Sequence, residues 1–273
     1  MLERAIPSSS ERLPVIGLGT WRTFDPPKIT DAALAPIEGT VAAFVQAGGR
    51  VIDTSPMYGK AQTITGLVTA KLAVNQDLFI ATKVWTTGHD AGIRQMEESM
   101  RLLGRTQVDL MQIHNLVDWR THLPTLREWK AAGRIRYIGI THYEPSAYPS
   151  LATVIEKEQI DFVQLAYSAA VRTAAQRVLP LAADRGVAVL VNRPFDGGGL
   201  FAHVARRPLP PFAQAFGATW AQVLLKFVIS HPAVTCTIPA TATAEHIREN
   251  VLASEDRLPT PKERQRLVEF LES

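Results

Sequence analysis

Eight short runs of β-branched and aliphatic residues recur along the chain, at 15–18, 50–54, 78–84, 108–114, 135–141, 162–166, 187–191 and 234–238. Each has strand length and composition. Between them lie segments with apolar residues at helical spacing, such as Val41, Phe44 and Val45, or Ile93, Met96, Met100 and Leu103, or Val223, Leu224, Phe227 and Val228. Gly48-Gly49, Gly133, Gly186 and Pro232 punctuate the ends of the first, fourth, sixth and seventh helical segments. Regular alternation of strand and helix argues for parallel βαβ units, because parallel neighbours need a crossover between them. Eight such units favour a closed α/β barrel, the (β/α)8 or TIM barrel; an open doubly wound sheet is the alternative the pattern leaves. Such a barrel takes roughly 250 residues, so residues 1–273 are read as one domain, with no repeat, low-complexity tract or linker to divide them.

Composition narrows the partners. Apolar residues make up 46% of the chain, enough for one large core. The 29 basic and 26 acidic residues are interspersed and leave a formal charge of only +3, so no basic stripe offers itself to nucleic acid. Cys236 is the single cysteine; it excludes an intrachain disulfide, supplies no thiolate pair for a metal, and reads as an inert core thiol of a reducing compartment. No apolar run reaches the roughly 20 residues of a membrane-spanning helix, and the polar start of the chain lacks a signal-peptide core. A cytoplasmic protein is therefore expected, with any export signal ahead of Met1 lying outside the numbered chain. Residues 196–216, with Gly197-Gly198-Gly199 and three prolines, read as a long connection of the kind that often serves function, and 259–273 as an amphipathic terminal helix. Oligomeric state has no signal in the sequence.

The chemistry-bearing residues stand at strand ends. A parallel strand buried in a barrel should be nearly all apolar, yet Val51-Ile52-Asp53 ends in a carboxylate, Thr82-Lys83 in an ammonium, Gln112-Ile113-His114 in an imidazole and Gly139-Ile140-Thr141 in a hydroxyl. Side chains alternate along a strand, so Asp53 faces as Val51 does, Lys83 as Phe79 and Ala81 do, and His114 as Leu110 and Gln112 do. All three can point into the barrel mouth, the C-terminal face where barrel enzymes assemble their chemistry. Ser55-Pro56-Met57-Tyr58-Gly59 is a turn-rich loop able to carry the Tyr58 phenol over the same mouth. In such a site Lys83, held by Asp53, is expected to lower the phenol pKa from its ordinary value near 10, so that Tyr58 can serve as an acid. A neutral His114 would orient a carbonyl oxygen.

Gly17-Leu18-Gly19-Thr20-Trp21, Val51 to Gly59, Ala81-Thr82-Lys83, Val108 to His114 and Arg136 to Ile140 occur in this order across nearly the whole chain, and together they resemble the aldo-keto reductases. The resemblance implies a nicotinamide cofactor lying extended across the barrel mouth, hydride transfer to an aldehyde or ketone, and Asp53, Tyr58, Lys83 and His114 as the catalytic group with Tyr58 as proton donor. It also implies cofactor contacts from Thr20, from Thr141, His142 and Gln164 near the carboxamide, from Asn192, Arg193 and Phe195 near the nicotinamide and pyrophosphate, and from Thr241, His246, Glu249 and Asn250 at the adenosine end. The chain departs from the family pattern at three places. The Ser-Asn pair of many members is Thr141-His142, and the aromatic that stacks on the nicotinamide is Asn192, with Phe195 as the candidate substitute. The Lys and Arg that meet a 2′-phosphate are Ala240 and His246. NADP is the expected cofactor, NAD the alternative, and no metal is expected.

Trp21, Trp85 and Trp119 each follow a strand end and are the candidates for an apolar substrate pocket. With no arginine assigned to that pocket, a neutral aromatic or aliphatic carbonyl is the expected small-molecule substrate. Two rival readings keep the same residues: a Schiff-base barrel aldolase built on Lys83, and a redox-sensing or regulatory subunit that binds cofactor with little turnover.

Overall fold

A computed structural model describes all 273 residues. Eight parallel strands run in chain order around one sheet: β3 (Leu18–Gly19), β4 (Val51–Asp53), β5 (Phe79–Val84), β6 (Val108–His114), β7 (Ile135–His142), β8 (Phe162–Ala166), β9 (Ala188–Asn192) and β10 (Cys236–Thr237). Parallel bridges from Ile16 to Thr237 and from Gly19 to Ala240 bring the first strand against the last and close the ring. The eight expected strands are all present. Those at the closure have shorter regular ladders than expected because they pair partly through these bridges.

Helices α1 (Asp31–Gln46), α2 (Ala61–Lys71), α3 (His89–Leu103), α4 (Trp119–Ala131), α5 (Tyr148–Lys157) and α6 (Val178–Asp184) each cross between successive strands. The connection at 196–216, expected as a loop, holds two short helices, α7 (Gly199–Val204) and α8 (Pro211–Gln214), ahead of α9 (Trp220–Ile229). Leu200 and Val204 are buried one helical turn apart, a spacing that the flanking glycines and prolines hide in the sequence. After β10 come α10 (Ala244–Leu252) and α11 (Pro261–Glu272); the latter starts with a capping box in which Thr260 and Glu263 satisfy each other's backbone N–H. No helix is long and apolar enough to cross a membrane.

A hairpin that the strand pattern does not predict starts the chain, β1 (Glu3–Ala5) with β2 (Arg12–Pro14), and lies across the N-terminal end of the barrel. Its Ile6 and Leu13 are wholly buried against Val51, Phe79, Leu110, Tyr137 and Phe162. The Arg4 guanidinium reaches across to the carbonyls of Ile229, His231 and Val234, satisfying acceptors at the end of α9. Phe79, Tyr137 and Phe162 pack ring against ring, with centroids 5.5–6.0 Å apart, and fill the lower barrel. Cys236 belongs to this interior, where burial drives its thiol pKa up and leaves it unreactive. One residue-pair further along the same strands the inward side chains turn polar: Asp53 follows Val51, Lys83 follows Ala81, Gln112 follows Leu110 and Gln164 follows Phe162. Nearly all the apolar filling is below, so the polar side chains collect at one end.

Candidate active site

Asp53 and Lys83 form an ion pair of 2.7 Å with side chains 2% and 0% exposed. A charge so far from water needs close polar partners. Lys83 Nζ donates to Asp53 Oδ2 and, at 2.8 Å, to the carbonyl oxygen of Thr54, and its charge acts on the nearby Tyr58 phenol. Asp53 Oδ1 accepts from Gln164 Nε2 at 2.7 Å and from Gln112 Nε2 at 3.2 Å. Tyr58 rides on the loop after β4, with its ring 4.9 Å from Lys83 Nζ and edge-on to His114 at 5.9 Å. His114 Nδ1 is hydrogen-bonded to Ser55 Oγ at 3.1 Å, and Ser55 Oγ also accepts the Met57 N–H at 3.2 Å. The Asp53 loop thus fixes the imidazole as well as the phenol.

Above this group opens a cavity of about 580 Å³ whose wall includes Thr20, Trp21, Asp53, Tyr58 and His114 on one side and Thr141, Gln164, Asn192, Arg193 and Phe195 on the other. Lys83 lies beneath its floor, wholly buried.

A family model described as the aldo/keto reductase family matches residues 15–272. The chain belongs to the aldo/keto reductase family. An aldo-keto reductase of Mycolicibacterium smegmatis is 31% identical over 92% of this chain and 87% of its own. The methylglyoxal reductase YeaE of Escherichia coli is 26% identical over 92% and 89%. Among solved structures, an aldo/keto reductase of Klebsiella pneumoniae in complex with NADP and acetate superposes with a TM-score of 0.80 at 25% identity, covering 96% of this chain and 93% of that one.

In this aldo-keto reductase the electrostatics of the mouth differ from expectation at one point. Burial raises the Tyr58 pKa above its ordinary value, and the nearby Asp53 carboxylate adds to the rise; Lys83 pulls the other way without prevailing. Burial alone would drive the Lys83 pKa down, but Asp53 and Tyr58 together outweigh it and hold the ammonium above the usual lysine range. Lys83 is therefore a fixed cation. Its role toward Tyr58 is to limit a desolvation penalty, where the sequence suggested a net lowering.

Burial, the Lys83 charge and His142 bring the His114 pKa down to about 3. The imidazole is therefore neutral at neutral pH. In an NMR pH series the ring is expected not to titrate as the pH falls from neutral through the ordinary histidine range. The sign of the stability effect follows: the unfolded chain takes up the His114 proton near 6.5 while the folded chain does so only near 3, so folding stability falls as pH drops between those values. His114→Asn should reduce the slope of that part of the unfolding-versus-pH curve, the remainder coming from groups such as His231, whose pKa burial brings down to about 4.

The remaining expected residues separate into groups. Thr20 is buried and donates through Oγ1 to the Asp53 carbonyl at 3.0 Å. Gln164 Oε1 accepts from Thr141 at 3.4 Å and from Asn192 at 3.3 Å, while Asn192 Oδ1 is buried with no partner. Phe195 meets Phe201, also on the wall, at 4.5 Å. His142 stands outside the cavity wall, stacked on Tyr143 with its Nδ1 accepting the Glu144 N–H at 3.2 Å. Thr241 and Asn250 are buried, His246 exposed and Glu249 half-buried, all beyond the cavity on the segment that leads into and along α10.

Of the three tryptophans, Trp21 lines the cavity and Trp85 sits exposed at its rim, 6.3 Å from His114. Trp119 does not: it opens α4, packs against the helix-side core and lies under Arg120 at 4.5 Å. A residue that begins a helix after a four-residue turn lands over that helix instead of the barrel axis. Conversely, Arg22, which the sequence reading passed over, lines the wall, stacked 4.3 Å over Trp21, and Arg193 lies 3.8 Å from Asp196. The cavity therefore carries two cations. Adjacency to Thr20-Trp21 is the signal that would have found Arg22; Ser55 and Gln112 could have been found from their places beside Asp53 and two residues before His114.

Proposed function

We propose that the chain reduces aldehyde or ketone carbonyls to alcohols with NADPH, Tyr58 giving its proton to the carbonyl oxygen. The observation that carries this reading is the buried Asp53–Lys83 ion pair set 4.9 Å from the Tyr58 ring, beneath a cavity that Tyr58 shares with a neutral His114. Bound NADPH supplies the hydride. Tyr58 holds the proton at its phenol oxygen, and as that proton leaves, the Lys83 ammonium stabilises the phenolate left behind. Asp53 keeps Lys83 charged and in place. His114, neutral, with Nδ1 tied to Ser55 Oγ, can present Nε2–H to the same carbonyl oxygen and so orient it between two donors.

The residues present fit the cofactor. The unpaired Asn192 Oδ1 and the Thr141 and Gln164 side chains suit a carboxamide, which both donates and accepts. Phe195 offers a ring, Thr20 borders the same wall, and Arg22 and Arg193 suit the pyrophosphate. His142, Thr241, His246, Glu249 and Asn250 would act from outside the cavity, toward the carboxamide edge and the adenosine end. Without the Lys and Arg that meet a 2′-phosphate in many relatives, preference for NADPH over NADH is expected to be modest.

Trp21 and Trp85, with Met57, would meet the substrate. The likeness to a methylglyoxal reductase supports a small carbonyl compound. The aldolase reading requires a neutral Lys83 amine, which the raised pKa and the hydrogen bonds to Asp53 and Thr54 oppose. Fluorescence titration with NADPH and NADH, followed by oxidation assays with methylglyoxal, aromatic aldehydes and carboxylate-bearing carbonyls, tests the proposal. Carbonyl-dependent oxidation of NADPH is expected. Tight binding with no oxidation by any of them would favour the regulatory reading, and borohydride trapping of substrate on Lys83 the aldolase.

A further inference from the structure

We infer that Gln112 is a positioning residue that clamps Asp53 and Gln164 together, fixing the ion pair that serves proton transfer and the amide that faces the cofactor site in one hydrogen-bonded unit. The inference rests on the carbonyl-reductase reading above. Gln112 is wholly buried in β6, its position paired in register with Lys83 on one side and Gly139 on the other. An amide at this depth should be apolar unless both its ends are used, and both are. Its Nε2 donates to Asp53 Oδ1 at 3.2 Å, and its Oε1 accepts from Gln164 Nε2 at 3.3 Å.

The consequence is a fixed orientation for Gln164. Its two N–H groups are consumed by Asp53 and Gln112, so Oε1 has to turn toward Thr141 and Asn192. Asp53 in turn has Oδ2 on Lys83 and Oδ1 on the two glutamines, and its carboxylate plane cannot rotate without breaking bonds on both sides. Without Gln112, Gln164 has a spare N–H and no reason to keep its amide this way round.

A second observation points the same way. Gly139 has ordinary extended geometry, yet a Cβ built on it would stand 2.8 Å from Gln112 Cγ and 3.1 Å from Leu110. No turn or positive φ requires glycine there. The strand gives up a side chain where the Gln112 side chain passes, the role expected of a glycine inside a strand at a close approach.

Two variants test the clamp. Gln112→Met keeps the volume and removes both hydrogen bonds; it is expected to lower kcat about tenfold and to weaken NADPH, measured by fluorescence titration, several-fold. Gln112→Glu keeps the shape. Protonated, its carboxyl donates to Asp53 and accepts from Gln164 as the amide does; ionised, it repels Asp53. The groups around it are Asp53 on β4 and Lys83 on β5, of opposite charge, with neutral His114 on its own strand, the Tyr58 phenol above, and uncharged Gly139, Thr141 and Gln164 on β7 and β8. Burial leaves its pKa raised.

The activity of Gln112→Glu relative to the unaltered enzyme should therefore climb toward unity as pH falls and decline as pH rises, while the Gln112→Met ratio stays flat. A packing role predicts flat ratios for both. Unchanged NADPH affinity and kcat in Gln112→Met, or a pH-independent ratio in Gln112→Glu, overturns the inference. If the unaltered chain turns over no carbonyl, the carbonyl-reductase reading fails instead, and NADPH affinity alone then decides for or against the clamp. Should Gln112→Met not fold, Gln112→Glu carries the test.

Discussion

Tyr58→Phe is expected to lower kcat for carbonyl reduction by roughly 10²- to 10⁴-fold, the usual worth of a positioned general acid. NADPH affinity should change little, because the loss is confined to a hydroxyl that the cofactor-side residues Thr141, Gln164 and Asn192 do not contact. The pattern that supports the assignment is a fall in kcat and kcat/KM together, the mark of an interaction made in the transition state. Burial holds the phenol protonated up to a pH above the ordinary tyrosine range, so reduction by the unaltered enzyme should show no loss from Tyr58 ionisation until strongly basic pH. Unchanged turnover in Tyr58→Phe would remove Tyr58 from the proposed role.

Lys83→Met should damage both activity and the fold. It removes the cation from a site where Asp53 is 2% exposed, leaving a buried carboxylate short of its counter-charge, a change that typically costs about 3–5 kcal/mol. For a chain of this size that corresponds to a Tm lower by roughly 10 °C. The double variant Asp53→Asn with Lys83→Met should regain part of the stability, since no unpaired charge is left, but none of the activity. Calorimetry beside steady-state rates separates the two effects. The direction with pH is also determined: the Lys83 pKa is raised in the folded chain, so its contribution is complete below the usual lysine pKa and is lost only as pH rises through the higher folded value. If Lys83→Met melted like the unaltered chain, the ion pair would contribute nothing to folding.

Much of this was legible because period-two alternation is rigid. Once Val51-Ile52-Asp53, Ala81-Thr82-Lys83 and Leu110-Met111-Gln112-Ile113-His114 were read as inward-facing strands, their polar members had to meet at one end, and the eight runs had to surround them. What alternation does not describe was missed. The β1–β2 hairpin is too short and polar to have a period, and Leu200 with Val204 make a helix of six residues inside a glycine- and proline-rich stretch. Trp119 follows its strand at the right distance, but the turn before α4 carries it away from the mouth; His142, the last residue of β7, alternates with the inward-facing Thr141 and so leaves the wall on the other face. Arg22 carries no signal of its own because its place on the wall depends on a left-handed backbone, φ 64°, which residue type does not reveal outside glycine and asparagine. The sign of the Tyr58 shift depends on burial against charge, and burial is a property of the folded cavity.

The hairpin across the barrel floor also sets an order of events. Arg4 is synthesised some 225 residues before Ile229, whose carbonyl it meets in the finished protein. At translation speeds of roughly 5–20 residues per second, that partner arrives about 10–45 s later. During this interval Ile6 and Leu13 have no completed floor to pack against, so the closing of the barrel is a late step on the ribosome, and nascent chains stalled before α9 should leave the hairpin open to protease.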